Sequence, residues 1–281
     1  MTGGPAGSPR EVTMEQVQLA HDDLGAGTDA ILMIHGAYGD RSVYSNQVAF
    51  FAPTHRVVTL DLRGHGETAK PVERYSIEGF ADDVAGLSKD LGIHRADVVG
   101  HSMGGVVAVE LAHRHPDLVR AIATLDSPSI IPGWTGAHMG PYTEAIHGSR
   151  FREILKEFLD VASLPVDDRS RREQALRSID DVPPHVVTAT WDALIDWDPG
   201  PALSTLRAPL LYLDHGQPSL DYEALRRLSP QLITGQTVGA GHRALQEVPE
   251  QVNQMLGRFF SHSEVLAENA KRNAGVFNYR S

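Results

Sequence analysis

Short apolar runs recur along the chain, each closed by glycine or aspartate, and segments with helical spacing lie between them. "AILMIHG" (30–36), "HRVVTLDLRGHG" (55–66), "ADVVG" (96–100), "VRAIATLD" (119–126) and "APLLYLD" (208–214) show the pattern of strands buried on both faces. The stretch 75–91 places Ile77, Phe80, Val84, Leu87 and Leu91 three and four apart, on one face of a helix. "VVAVELAHRHP" reads as a second helix, stopped by Pro116. A strand around "EQVQLAHDD", a helix at "YEALRRL", a strand near "QLITGQTVG" and a last amphipathic helix, "EQVNQMLGRFF", complete the series. Strands alternating with helices predict an α/β fold with a mostly parallel central sheet and helices on both faces.

The rhythm breaks between about 129 and 205, where "REILKEFLDVA" and "RSRREQALRSI" give charged, helical and proline-containing pieces. That interval is expected to be a helical cap, inserted into a core formed by 13–128 and 206–261. Residues 1–12, rich in Gly, Pro and Ser, are expected to be a disordered lead-in, and 262–281 a polar C-terminal tail without a pattern. The charge runs "DDRSRRE" and "IDD" read as solvated helix faces and ends.

Composition narrows the chemistry. With 281 residues, 41% of them hydrophobic, the chain can fill one large core. A net charge of −11 argues against a nucleic-acid partner, which needs a basic face. No apolar run approaches the roughly 18 residues of a membrane span, and the N-terminus lacks the apolar stretch of a signal peptide, so the expected location is cytoplasmic and the expected partner a small-molecule substrate. Without cysteine, catalysis would fall to hydroxyl, carboxylate and imidazole groups. No metal motif, phosphate loop or dinucleotide fingerprint is present, so no cofactor and no metal are expected. Nothing in the sequence fixes the oligomeric state.

The candidate chemistry centres on Gly100-His101-Ser102-Met103-Gly104, a G-x-S-x-G pattern between an apolar strand and an apolar helix. A tight strand-to-helix turn lifts a serine hydroxyl above the sheet, and Gly100 and Gly104 leave room for it. The helix that follows points its N-terminal N–H groups at the same place, where negative charge is favoured. An alcohol near neutral pH is protonated and a poor nucleophile, so Ser102 needs a base. Of fourteen histidines, His242 is the candidate, since it follows a strand and the flexible "GAG". His101, inside the elbow, is expected to point away from Ser102, and His65 to brace the "RGHG" loop.

With "HGAYG" (35–39), "DLRGHG" (61–66), "GHSMGG" and "GAGH" (239–242) in this order, the chain resembles the α/β-hydrolase fold superfamily over roughly residues 15 to 260. The resemblance implies an oxyanion hole made by the N–H groups of Met103 and Ala37, with Gly36 letting the loop approach, and Tyr38 as pocket wall or further donor. It also implies that the cap determines substrate choice, with Trp134, His138 and Trp191 as candidate pocket residues.

The acid is the point of departure from the common pattern. Many members of the superfamily carry it after the strand corresponding to "PLLYLD", where this chain has Pro218 and Ser219, with Asp214 and Asp221 to either side. Some branches place it after the strand that follows the elbow helix, and there "ATLDSP" presents Asp126. Asp126 is preferred, while Asp214 and Asp221 stay open. The expected function is a serine hydrolase, of carboxylesterase or lactonase type, acting on an ester, lactone or related acyl compound of a small, apolar or aromatic substrate. The alternatives are a cofactor-independent ring-cleaving dioxygenase using a His–Asp base, and a ligand-binding hydrolase homologue with slow turnover.

Overall fold

A computed structural model describes residues 17–216 and 220–277. Seven strands form one sheet: β1 (His21–Leu24), β2 (Ala30–Ile34), β3 (Arg56–Leu60), β4 (Ala96–His101), β5 (Val119–Leu125), β6 (Leu210–Asp214) and β7 (Leu232–Gln236). Their order is β1-β3-β2-β4-β5-β6-β7, with β1 antiparallel to β3 and every other pair parallel. Parallel neighbours need crossovers, and α1 (Ser45–Phe51), α2 (Ile77–Asp90) and α3 (Met103–Arg114) provide the first three. The lead-in expected at 1–12, the start of the first expected strand, and Pro218 and Ser219 lie outside the described residues.

The apolar runs are continuous because both faces of the sheet are covered. On β2, Leu32 and Ile34 pack with α2 and α3, while Ile31 and Met33 point to the opposite face. The same alternation sends Leu210 and Tyr212 of β6 one way and Leu211 and Leu213 the other. Six helices separate β5 from β6: α4 (Trp134–His138), α5 (Thr143–Ile146), α6 (Phe151–Asp160), α7 (Arg169–Ser178), α8 (Pro184–Asp196) and α9 (Pro199–Thr205). Residues of α4, α6 and α8 share a cavity with the C-terminal end of β4, whereas α9 packs beside α3.

After β6 come α10 (Tyr222–Leu228), α11 (Ala244–Glu247) and α12 (Pro249–Phe277). The polar tail expected from 262 is therefore helical as far as Phe277. Buried Phe259, Ser263 and Ala267 lie four residues apart on one face of α12. Small Ser and Ala side chains carry that contact, so the apolar pattern fades although the helix continues. Among the described residues no helix is long and apolar enough to cross a membrane.

α12 covers the face of the sheet opposite α2 and α3, through Val252, Leu256, Phe259 and Phe260. Phe259→Ala should lower the unfolding free energy by about 3–5 kcal/mol, as for other buried aromatic truncations. Urea denaturation checks this, and a loss below about 1 kcal/mol would mean that the helix contributes little to the core.

Candidate active site

β4 runs into α3 through Ser102, whose φ of 53° and ψ of −121° are unusual for a residue with a side chain. The elbow closes because two glycines permit backbone contact. A Cβ at Gly100 would stand 2.2 Å from the Gly104 carbonyl oxygen, and one at Gly104 2.0 Å from that of Ile34. The Ser102 N–H donates to the Leu125 carbonyl at 2.9 Å, tying the elbow to β5.

Asp126, the residue after β5, also has a left-handed backbone, with φ 46°. Its side chain is 3% exposed as a residue, and its Oδ2 lies 2.6 Å from Nδ1 of His242. Nδ1–H of His242 donates to this carboxylate, which leaves Nε2 as the ring nitrogen available to take a proton. Burial opposes ionisation of Asp126, but the imidazoles of His242 and His215 outweigh it and hold the carboxyl well below its ordinary range. Asp214 turns elsewhere, accepting from the Gly216 N–H at 2.6 Å and from the Tyr222 hydroxyl. Asp221 caps α10 by accepting from the Ala224 N–H at 2.8 Å. Of the three candidate acids, Asp126 is the one in contact with His242.

Ser102 and His242 line one cavity of about 380 Å³, together with Ala37, Tyr38 and Met103. A serine–base hydrogen bond of this kind commonly tightens only around substrate. Among the described residues, the N–H groups of Ala37 and Met103 donate to no backbone carbonyl. Met103 is the first residue of α3, so helix dipole and free amide act together there. Gly36 faces the elbow, where an added Cβ would stand 3.0 Å from Cβ of Ser102. Tyr38 is buried, lines the same cavity, and donates its hydroxyl to the Val187 carbonyl at 3.3 Å.

The remaining walls are aromatic. Trp134 stacks on His138 with ring centroids 4.7 Å apart, and Phe158 meets Trp191 edge-on at 5.2 Å. The Trp191 indole N–H donates to Thr143 Oγ1 at 3.1 Å. Trp197 instead donates to Glu110 of α3 and fastens the inserted helices to the sheet. Among the described residues no Lys, Arg, Asp or Glu lines this cavity. A wider, shallow cleft along α2 lies away from Ser102, and its charges Asp82 and Arg114 pair with each other. Among the described residues no group of three or more His, Asp or Glu side chains could hold a metal ion.

A family described as the alpha/beta hydrolase fold matches residues 29–145, which include the first loop, the elbow and Asp126. The chain overlays on a thermophilic esterase from Thermogutta terrifontis with a TM-score of 0.77 and 26% identity, covering 88% of this chain and 94% of that one. It overlays on an N-acyl homoserine lactone degrading enzyme with a TM-score of 0.73 and 27% identity, covering 86% and 97% respectively. This chain belongs to the α/β-hydrolase fold superfamily. Among curated sequences, this hydrolase-fold chain is 26% identical over 240 residues to the dihydrolipoyllysine-residue acetyltransferase component of the acetoin cleaving system of Pseudomonas putida. The match takes in 84% of this chain and 64% of that protein's length, less than two thirds of it.

The hydrolase fold holds two imidazoles that sequence reasoning did not connect to His242. His215, directly after β6, places Nδ1 3.4 Å from Asp126 Oδ2, and this carboxylate raises the imidazole above its ordinary range. Its only signal in the sequence was its place beside Asp214. His101 does point away from Ser102, and its Nε2–H donates to the His242 carbonyl at 2.9 Å. His35 is fixed as the Nδ1–H tautomer, donating to the Gly36 carbonyl at 2.7 Å while Nε2 accepts from the Leu62 N–H at 3.0 Å. His65 braces its loop, its Nδ1–H donating to the Arg63 carbonyl at 2.8 Å.

Burial keeps His35, His65 and His101 neutral, and drives the last two down to about 3. Each binds a proton on unfolding once the pH drops below the free-imidazole value of about 6.5. Their contribution to stability is therefore complete above that pH and lost as the pH falls toward 3. Unfolding free energy should drop by up to about 1.4 kcal/mol per pH unit for each histidine. Urea midpoints at about pH 7.5, 6 and 5 should fall in that order, and equal midpoints would mean that these rings are charged in the fold.

Proposed function

We infer that this chain is a serine hydrolase of the carboxylesterase or lactonase type, with Ser102 as nucleophile, His242 as base and Asp126 as the acid that orients it. The observation that carries this reading is the 2.6 Å contact between Asp126 and His242 at a cavity that is also lined by Ser102 and by Ala37 and Met103, whose N–H groups donate to no backbone carbonyl among the described residues. Likeness to an esterase and to a lactone-degrading enzyme supports carboxylic esters and lactones as the substrate class.

The steps follow from the groups present. Ser102 Oγ bonds to the acyl carbon as its proton passes to His242 Nε2, and the carbonyl π electrons move onto oxygen. The oxyanion accepts hydrogen bonds from the N–H groups of Met103 and Ala37, each worth roughly 2.7–4 kcal/mol in such a position. Asp126 stabilises the imidazolium formed. The tetrahedral adduct collapses, the alkoxide leaves with the proton from His242 Nε2, and an acyl ester remains on Ser102. Water then loses a proton to His242, attacks the same carbon, and releases the carboxylic acid while Ser102 Oγ regains its proton. In a lactone the alkoxide stays attached, and the product is a hydroxy acid.

A wall that holds no Lys, Arg, Asp or Glu among the described residues supports a neutral substrate with an apolar or aromatic acyl or alcohol group. Among the described lining residues the group of cationic character is His215, raised by Asp126, so a substrate carboxylate would have to compete with Asp126 for it. The ring-cleaving dioxygenase alternative would use His242 and Asp126 but would need no serine nucleophile.

Ser102→Ala should abolish turnover of short p-nitrophenyl esters, and Asp126→Asn should lower kcat by about 10⁴ while the fold persists. Retention of esterase activity by Ser102→Ala would overturn the reading. Dioxygen uptake that survives that substitution would favour the dioxygenase instead.

Neutral esters should exceed their carboxylate-bearing analogues in kcat/KM by about tenfold or more, measured by initial rates on matched pairs. Equal values would show that charge is accommodated in the cavity.

A further inference from the structure

The loop that carries His242 is held from two sides. From the elbow, His101 Nε2–H donates to the His242 carbonyl. From the inserted helices, the segment 161–168 between α6 and α7 reaches the same loop. The His242 N–H donates to the Ala162 carbonyl at 3.0 Å, and the Gly241 N–H donates to Asp167 Oδ1 at 2.9 Å. The second oxygen of Asp167 accepts from the Leu164 N–H at 2.8 Å, so one carboxylate joins the two loops. Just beyond, Arg171 pairs with Glu247 at 2.9 Å and donates to the Gln246 carbonyl at 3.0 Å, while Glu247 accepts from the Asp168 N–H.

These loops approach closely. A Cβ at Gly241 would lie 2.5 Å from the Ala162 carbonyl oxygen and 2.8 Å from Asp167 Oδ2. Val161 and Ala162 also line the cavity, so one short segment is both wall of the substrate space and anchor of the His242 backbone. Hydrogen bonds to a carboxylate are about twice as strong as neutral ones, which makes the Asp167 bond to Gly241 stronger than the neutral bond from the His242 N–H to the Ala162 carbonyl.

We propose that Asp167 is a positioning residue for His242, fixing its loop through the Gly241 N–H so that the imidazole is aligned only while segment 161–168 is docked. This rests on the reading of His242 as the base. Misplacing a reacting group by 1 Å can cost about 10²-fold in rate, so loosening this anchor acts on the chemical step. If Asp167 merely completed its own turn at Leu164, its loss would alter stability or substrate affinity and leave kcat in place.

The test compares Asp167→Ala, Asp167→Asn, Gly241→Ala and His242→Ala on a p-nitrophenyl ester, with thermal melting of each. Asp167→Ala should lower kcat by about 30- to 100-fold with KM within about threefold. Asp167→Asn keeps one oxygen that can accept from Gly241 and should recover kcat to within about fivefold of the parent. Gly241→Ala forces the loops apart without touching the carboxylate and should reproduce the loss, which keeps the test sound if Asp167→Ala fails to fold. An unchanged kcat in Asp167→Ala or Gly241→Ala, or a change confined to KM, overturns the proposal while His242→Ala is still inactive. Turnover that persists in His242→Ala overturns the assignment of the base itself.

Discussion

A buried carboxylate must have cationic or hydrogen-bonding partners, and Asp126 meets that requirement by drawing His242 across 116 positions of chain to the end of β5. Much of the surrounding geometry is organised by this contact. It fixes which imidazole nitrogen is free, brings the late loop over the sheet, and sets that loop against the elbow, where His101 holds it from behind. Among the described residues, the three non-glycine residues with left-handed backbone are Tyr38, Ser102 and Asp126. They follow β2, β4 and β5, which are neighbours in the sheet, and Tyr38 and Ser102 line the cavity that His242 borders. Strain of this kind persists only where surrounding structure enforces it, and here it is gathered at one edge of the sheet.

The fold was legible where burial is two-sided. β2, β4, β5 and β6 are mostly apolar on both faces because helices cover both, and the charges within β4 and β5, Asp97 and Arg120, pair with each other. The part of α12 from residue 262 onward was not legible. Its contact face passes through Ser263 and Ala267, whose size suits close packing and whose chemistry gives no apolar periodicity. The small helices between β5 and β6 were visible as a change of rhythm, but their arrangement depends on contacts such as Tyr38 to Val187 and Trp197 to Glu110, which join distant stretches of chain.

At the candidate site, local constraints were readable and remote ones were not. The elbow announces itself because Gly100 and Gly104 are needed within a few residues of Ser102. The acid could not be fixed by position, since Asp126, Asp214 and Asp221 all stand near strand ends or helix starts. Only the packed sheet decides that Asp214 turns to Gly216 and Tyr222, while Asp221 caps a helix. His215 and Asp167 carry no motif at all. Their relation to Asp126 and to Gly241 exists only once β5, β6 and segment 161–168 have met.

That the described residues bring no Lys, Arg, Asp or Glu to the cavity wall has a consequence for the end of the proposed cycle. The hydrolysis proposed above would turn a neutral acyl compound into an anion, formed among Trp134, Met139, Phe158, Trp191 and Leu194, with water the better solvent for it. The wall that favours entry of the substrate thus disfavours retention of the acid. On that proposal, cleavage would reverse the partition between pocket and bulk, and product would be expelled by the same apolar surface that gathered its precursor.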